Sequence, residues 1–196
     1  MLESSEFENS TNNSISSENT IHLEKSKSIK ELEEIQSKNI IDVVSDLLMN
    51  MCEENKAIEV TNKNISLNKK IKLFMLKKIP SISIKDYLIR LSKYSKISDS
   101  TLVIILIYID RFCHRYNFKI NYFNIYKLIL ISMIIAIKFN EDEYYTSEFY
   151  AKLGGITKAE INNLEYEFTC MINFNLFIKE ELFYKYYDLL INDGKS

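Results

Sequence analysis

Glycine and proline are nearly missing from this chain: its 196 residues hold three of the one and one of the other. Sheet proteins need such residues at their turns, so the shortage favours helices joined by polar loops. Tryptophan is absent, and the two histidines, His22 and His114, stand far apart, each read as a surface residue. There is no Gly-rich phosphate loop, since Gly154-Gly155 follows an apolar stretch as a helix stop rather than a cradle. No serine or cysteine nucleophile motif occurs. Cys52, Cys113 and Cys170 are odd in number and widely spaced, which implies neither a disulfide framework nor a metal site. Cys113 and Cys170 sit in apolar helical stretches and read as buried, reduced thiols.

An excess of one charge is lacking too. Lysine and arginine number 25 against 27 acids, a formal net charge of −2. That is not the basic balance of a nucleic-acid-binding domain. The longest apolar runs, Leu102–Ile109 and Leu128–Ile137, fall well short of the roughly 20 residues that span a bilayer. The polar, acidic N-terminus is no secretory signal. These absences lead to a soluble intracellular protein that is not an enzyme, with no cofactor, no metal, no nucleic-acid partner and no membrane.

What is present is hydrophobic patterning, with 46% apolar residues. Residues 1–38 are rich in Ser, Asn, Glu and Lys and read as a disordered low-complexity tail. A short amphipathic stretch, Ile21–Ile35, lies within it. Residues 39–53 form an N-terminal helix whose Ile40, Val43, Val44, Leu47, Leu48 and Met51 share a face. Residues 54–70 read as a linker, and the dense part follows over 71–191. Ser83 caps a helix to about Lys93 that buries Ile84, Tyr87, Leu88 and Leu91, with Asp86 three residues on, close to a capping box. Ser98 caps the next, Asp99 to about Tyr116. A third runs from about Asn124 to Phe139. These two are apolar on all sides, the mark of central helices; buried strands are the alternative for such β-branched runs. A short helix, Ser147–Leu153, ends at the two glycines. Thr157-Lys158-Ala159-Glu160 is a capping box that opens a helix to about Ile172. A last helix, about Lys179–Ile191, carries Leu182, Phe183, Tyr186, Leu189 and Leu190. Glu141-Asp142-Glu143 reads as a solvated acidic turn rather than a metal site.

Four segments carry a family resemblance. Ile82-Ser83-Ile84-Lys85-Asp86-Tyr87-Leu88-Ile89-Arg90-Leu91-Ser92-Lys93-Tyr94 resembles the first cyclin-box helix of P/U-type cyclins, the group of the yeast phosphate-pathway cyclins. Tyr108-Ile109-Asp110-Arg111-Phe112 is similar to the signature of the second helix in cyclins at large. Ala136-Ile137-Lys138-Phe139 resembles the end of the third. Tyr150-Ala151-Lys152-Leu153-Gly154-Gly155-Ile156, followed by Asn163-Leu164-Glu165, is similar to the most distinctive run of the P/U group. The four are in family order and spacing, from about Phe74 to Leu182.

The resemblance implies an all-α fold: a single five-helix cyclin box over 71–191, with an extra N-terminal helix and a flanking C-terminal helix. It implies a regulatory subunit that binds and activates a cyclin-dependent protein kinase as a heterodimer, in cell-cycle progression or nutrient signalling, in the nucleus and/or cytoplasm. Lys138 and Glu165 match the family's central kinase contacts; as a residue reading alone they are surface charges that pair with each other. Asp142 matches an Asp that yeast relatives present to a kinase arginine, and Glu141 and Glu143 are close enough to share that role. Tyr144 and Tyr145, with Phe149 and Tyr150, form an aromatic run beside Lys138 suited to an interface. Arg90 and Asp110 are expected as a buried or half-buried structural pair.

The chain departs from the family pattern at Tyr126-Lys127, where many P/U cyclins carry His-Arg. It also lacks the hydrophobic substrate-docking motif of A-type cyclins. The alternatives to a kinase activator are a cyclin-fold transcription-factor-like module and a non-activating scaffold.

Overall fold

The computed structural model describes residues 40–56 and 69–193. The expected tail, 1–38, and most of the expected linker lie outside them. Eight helices occur among the described residues, and no strand: α1 (residues 40–54), α2 (Lys69–Lys72), α3 (Ile84–Ser95), α4 (Asp99–Tyr116), α5 (Ile125–Asn140), α6 (Ser147–Gly154), α7 (Lys158–Met171) and α8 (Glu180–Asp193). The apolar runs that could have been strands are the bodies of α4 and α5.

Local chemistry sets most helix starts. Ser83 Oγ accepts from the Asp86 N–H and donates to Asp86 Oδ2. Ser98 accepts from the Thr101 N–H, Thr146 from Phe149 and Thr157 from Glu160. Each satisfies a backbone donor that the first helical turn leaves free. At α5 the rule fails. Asn124, fully buried, caps nothing with its side chain. Its Oδ1 accepts from the Asn121 N–H and its Nδ2 donates to the Lys119 carbonyl, which folds the preceding loop onto the helix. Gly155 ends α6 at φ +70°, a conformation glycine adopts freely. Gly154 is needed for another reason: a Cβ there would collide with the Leu130 side chain.

The core is built around α5. Every residue from Ile125 to Ile137 is buried, and α5 packs against α4, α7, α3 and α6. This is the five-helix arrangement, with its third helix central, that the resemblance implies. Phe112 on α4 joins α7 and α2's exit through Phe168, stacked with centroids at 5.1 Å, and Phe74, edge-on at 4.9 Å. Such pairs add about 0.5–1.5 kcal/mol beyond their area.

Lys127 is a buried cation near the start of α5. Its Nζ donates to the carbonyls of Leu73 and Met75 and pairs with Glu160 at 2.7 Å. The departure at Tyr126-Lys127 thus holds a structural tie: α5, the turn after α2, and the first turn of α7. Tyr126 donates to the Ile82 carbonyl, fastening the segment ahead of α3.

The flanking helices are laid on from outside. On α1, Ile40, Val44, Leu48 and Cys52 are buried, and Asn55 donates to the Ile120 carbonyl. Leu47 was expected on that face but is exposed. On α8, Leu190 is buried and Leu189 is exposed. Leu47 and Leu189 lie on the lips of an apolar groove between α1, α4 and α8, so the helical stripe is narrower than the run of apolar residues. Tyr186 fixes α8 to α4 by donating to Asp110 Oδ2 at 2.9 Å.

Replacing Phe112 with Ala is expected to cost about 3–5 kcal/mol, read as a lower urea midpoint. A second expectation concerns alkali. Burial pushes the Cys113 thiol up to about 12. Burial and the bond to Asp110 push Tyr186 up to about 12. Both are raised above their unfolded values, so their stabilisation is complete below the unfolded pKa values, about 8.5 and 10. It is lost as pH rises through about 12. Urea midpoints measured from neutral pH upward should hold to about pH 8 and then fall. A flat profile to pH 12 would refute this.

Candidate protein-interaction face

Lys138 lies in the last turn of α5, where a cation complements the helix dipole. Glu165 is in the middle of α7. The packing of these helices brings the two together: Lys138 Nζ donates to both Glu165 oxygens, at 2.7 and 2.8 Å. Their side chains are 27% and 25% exposed. The pair is therefore at the surface, and its bonding capacity is not used up. A lysine has three donors and a carboxylate about four acceptor sites.

Exposed aromatics adjoin it in the chain. Phe139 follows Lys138 and Tyr166 follows Glu165, both exposed. Beyond α7 a loop presents Phe174 and Phe177 at 67% and 70% exposure. Asn173 and Phe174 both adopt left-handed backbone, with φ of 58° and 55°. For a bulky residue such as phenylalanine that is strained, and it persists only where surroundings impose it. The surroundings here are Tyr108, which donates to the Leu176 carbonyl at 2.9 Å, and Arg111, whose guanidinium donates to the carbonyls of Asn175 and Phe177. Tyr108 also bonds the Asn140 side chain, so the end of α5 and the loop meet at one point. Sequence reasoning missed Phe174 and Phe177. The double Asn173-Phe174 turn had no glycine to mark it, and an isolated phenylalanine reads as core.

The acidic turn follows α5 directly. Glu141, Asp142 and Glu143 are all exposed. Tyr144 is exposed, while Tyr145 stacks on Phe149 with centroids at 4.2 Å and donates its N–H to the Tyr150 hydroxyl. Glu141, Glu143, Tyr144 and Tyr145 line a cavity of about 300 Å³ with Ser95, Lys96, Ile97 and Ile137. Asp142 is not part of its wall.

The expected Arg90–Asp110 pair does not form. Both are exposed, no ion pair joins them, and Asp110 is bonded to Tyr186. Arg90 falls outside the buried set of α3, which is Ile84, Tyr87, Leu88, Leu91 and Ser95. It lines a cleft with Tyr87, Tyr126 and Lys127. Apolar neighbours in sequence were taken for neighbours in space. His114 is exposed. Among the described residues no cluster of His, Cys, Asp or Glu could hold a metal, and no helix is long and apolar enough to cross a membrane.

Comparison with known proteins shows the family. A model of the cyclin family matches residues 2–176. Cyclin-U4-1 of Arabidopsis thaliana is 36% identical over 77% of this chain and 74% of its own length. PHO85 cyclin-like protein psl1 of Schizosaccharomyces pombe is 34% identical over 83% of this chain and 70% of its own. Cyclin-U4-3 of Arabidopsis thaliana is 36% identical over 75% and 68%. The chain belongs to the cyclin family, in its P/U-type group.

Replacing Tyr108 with Phe leaves the Leu176 carbonyl without its donor. The expected loss is about 1–3 kcal/mol. Faster amide exchange at Phe174 and Leu176, whose N–H groups donate to the carbonyls of Thr169 and Phe174, should accompany it. Unchanged exchange there would show that the loop does not depend on the tyrosine.

Proposed function

We propose that this chain is the non-catalytic regulatory subunit of a cyclin-dependent protein kinase and activates it by docking through the Lys138–Glu165 face. The observation that carries the reading is a partly exposed, mutually bonded ion pair where α5 meets α7, each member followed in the chain by an exposed aromatic. Isolated apolar residues on a surface need no explanation, but an exposed phenylalanine and tyrosine next in the chain to the two members of one charged pair fit an interface. On the kinase, the partner element is the regulatory helix of the N-lobe. Docking turns that helix so that its Glu pairs with the catalytic Lys, which grips the nucleotide phosphates.

The pair's remaining donor and acceptor sites bond polar groups near that helix, while Phe139, Tyr166, Phe174 and Phe177 exclude water around them. A charge-assisted bond is strong in such a setting and costly to leave unpaired. The acidic turn and Tyr144 extend the same face, with Asp142, Glu141 and Glu143 directed to the cationic side of the kinase. The relatives' names, U-type cyclins and a PHO85 cyclin-like protein, support a kinase partner. The proposed settings are cell-cycle progression or nutrient signalling, in the nucleus and/or cytoplasm.

The test is a pull-down of the tagged chain from its own cells beside a Lys138→Ala/Glu165→Ala variant, with the bound kinase identified and assayed. The parent should hold an active kinase. The variant should bind it more weakly by about 2 kcal/mol or more, as at interface hot spots. Equal binding by both would move the interface elsewhere. A folded parent that holds no kinase would overturn the reading.

A further inference from the structure

We propose that the apolar groove between α1, α4 and α8 is a docking site for a basic amphipathic helix of a partner protein. The helix seats apolar side chains between Leu47 and Leu189 and bonds a lysine or arginine to Asp110. None of these residues belongs to the proposed kinase face, so the groove is a second interaction surface.

The first observation is apolar surface that the fold leaves open. Leu48 and Met51 of α1, Ile109 and Cys113 of α4, and Leu190 of α8 line a hollow of about 220 Å³. Leu48, Ile109 and Leu190 are themselves buried in the core, so the floor is pre-formed. Leu47 and Leu189 stand at its lips, 40% and 55% exposed. Single exposed leucines are ordinary, but one on each of the two helices flanking the same hollow marks a binding groove.

The second is the backbone of the walls. Apart from Ile120, every wall residue lies inside a helix, with its N–H bonded along that helix. Ile120 gives its carbonyl to Asn55. An extended segment would find no run of main-chain donors here and would bury its own carbonyls unpaired. A helix satisfies its backbone internally and needs only complementary side chains, which is the helix-in-groove mode.

The third is charge. Asp110 is the one charged residue of the wall. Its Oδ2 accepts from Tyr186, and among the described residues it forms no ion pair. A carboxylate has about four acceptor sites, so a cation can still bind it. Asp46 precedes Leu47, Asp188 precedes Leu189, and Glu54 lies one turn beyond Met51. All three are exposed, and none forms an ion pair among the described residues. Lys185, one turn before Leu189, is the one cation of α1 and α8. The excess around the groove is acidic, which selects a basic partner.

The test titrates the full chain with an alanine-based peptide of about 18 residues, long enough to hold a helix. It carries leucines at i, i+4 and i+7 with arginines beside them, and the Leu47, Met51 and Leu189 methyl resonances are followed by NMR. One control has glutamates in place of the arginines. A second has the same composition scrambled so that the leucines share no face. Saturable shifts are expected with the arginine peptide, weaker binding with the glutamate peptide and none with the scrambled one. Affinity for the arginine peptide should fall as salt is added. A Leu47→Gln/Leu189→Gln variant, with its melting temperature checked, should bind about tenfold or more weakly. Asp110→Asn keeps an oxygen to accept from Tyr186, so α8 stays fastened, and it should narrow the preference for arginine over glutamate. Absence of saturable shifts in the parent would overturn the proposal. So would equal binding of the arginine and glutamate peptides, equal affinity in the leucine variant, or an unchanged preference in Asp110→Asn. Shifts at these leucines that grow with chain concentration before any peptide is added would assign the groove to a second copy instead, and the proposal would fall.

Discussion

A helix with no polar face has one place to go. From Leu128 to Ile137, α5 carries a single polar side chain, Ser132, and all of it is buried, so other elements must enclose it. The rest of the fold is the means of doing so: α3, α4, α6 and α7 pack on it, and α1 and α8 are added outside. This leaves α5 only its two ends for polar chemistry, and a lysine stands at each. Both are paired with glutamates of α7, Lys127 with Glu160 and Lys138 with Glu165. The two ties differ in kind. Lys127 has an acceptor for each of its three donors, two of them backbone carbonyls, and is buried. It has no capacity left and serves the fold. Lys138 has a carboxylate alone, stays partly exposed, and can still donate. The same residue type on one helix is thus structural at one end and available for recognition at the other.

The Tyr108–Phe112 signature divides in a similar way. On a helix of 3.6 residues per turn, five consecutive side chains go all the way round. Ile109 and Phe112 fill the core. Asp110 receives Tyr186 and so fastens α8. Tyr108 and Arg111 reach the loop after α7 and hold three of its carbonyls. That loop carries the most exposed phenylalanines of the proposed face. The signature therefore acts on the face from behind, by holding a strained backbone in the one conformation that turns Phe174 and Phe177 outward.

Much of this was legible in the sequence, because much of it is local. The caps at Ser83, Ser98 and Thr157 act over three residues, and the glycine stop at Gly155 needs only its own backbone. What escaped is what tertiary structure decides. Arg90 and Asp110 each had apolar neighbours along the chain, but helical geometry turned both to the surface and gave Asp110 a tyrosine on α8 instead. Leu47 and Leu189 continue apolar stripes past the width that the core can cover. Lys127 read as a mere departure from a pattern, since nothing in its neighbourhood announces the Leu73 and Met75 carbonyls more than 50 residues earlier. Phe174 and Phe177 carried no signal at all.

The bond between Lys138 and Glu165 bears on how the proposed face would work. Two charges that first had to part from each other and then find partners on a kinase would lose two short bonds before gaining any. Burying them unpaired would be costlier still. A pair that stays intact avoids both losses. It enters the interface already neutralised, each member's rotamer held by the other, and adds bonds through sites that the pair leaves open. The entropy of ordering a long lysine side chain has then been met during folding rather than at association. In the proposed complex, the exposed aromatics next to the pair in the chain keep water from competing for those open sites. On this account the two residues act as one unit. Removing either strands the other, so the second replacement in a double variant should add little to the first, the signature of coupled residues rather than of two independent contacts.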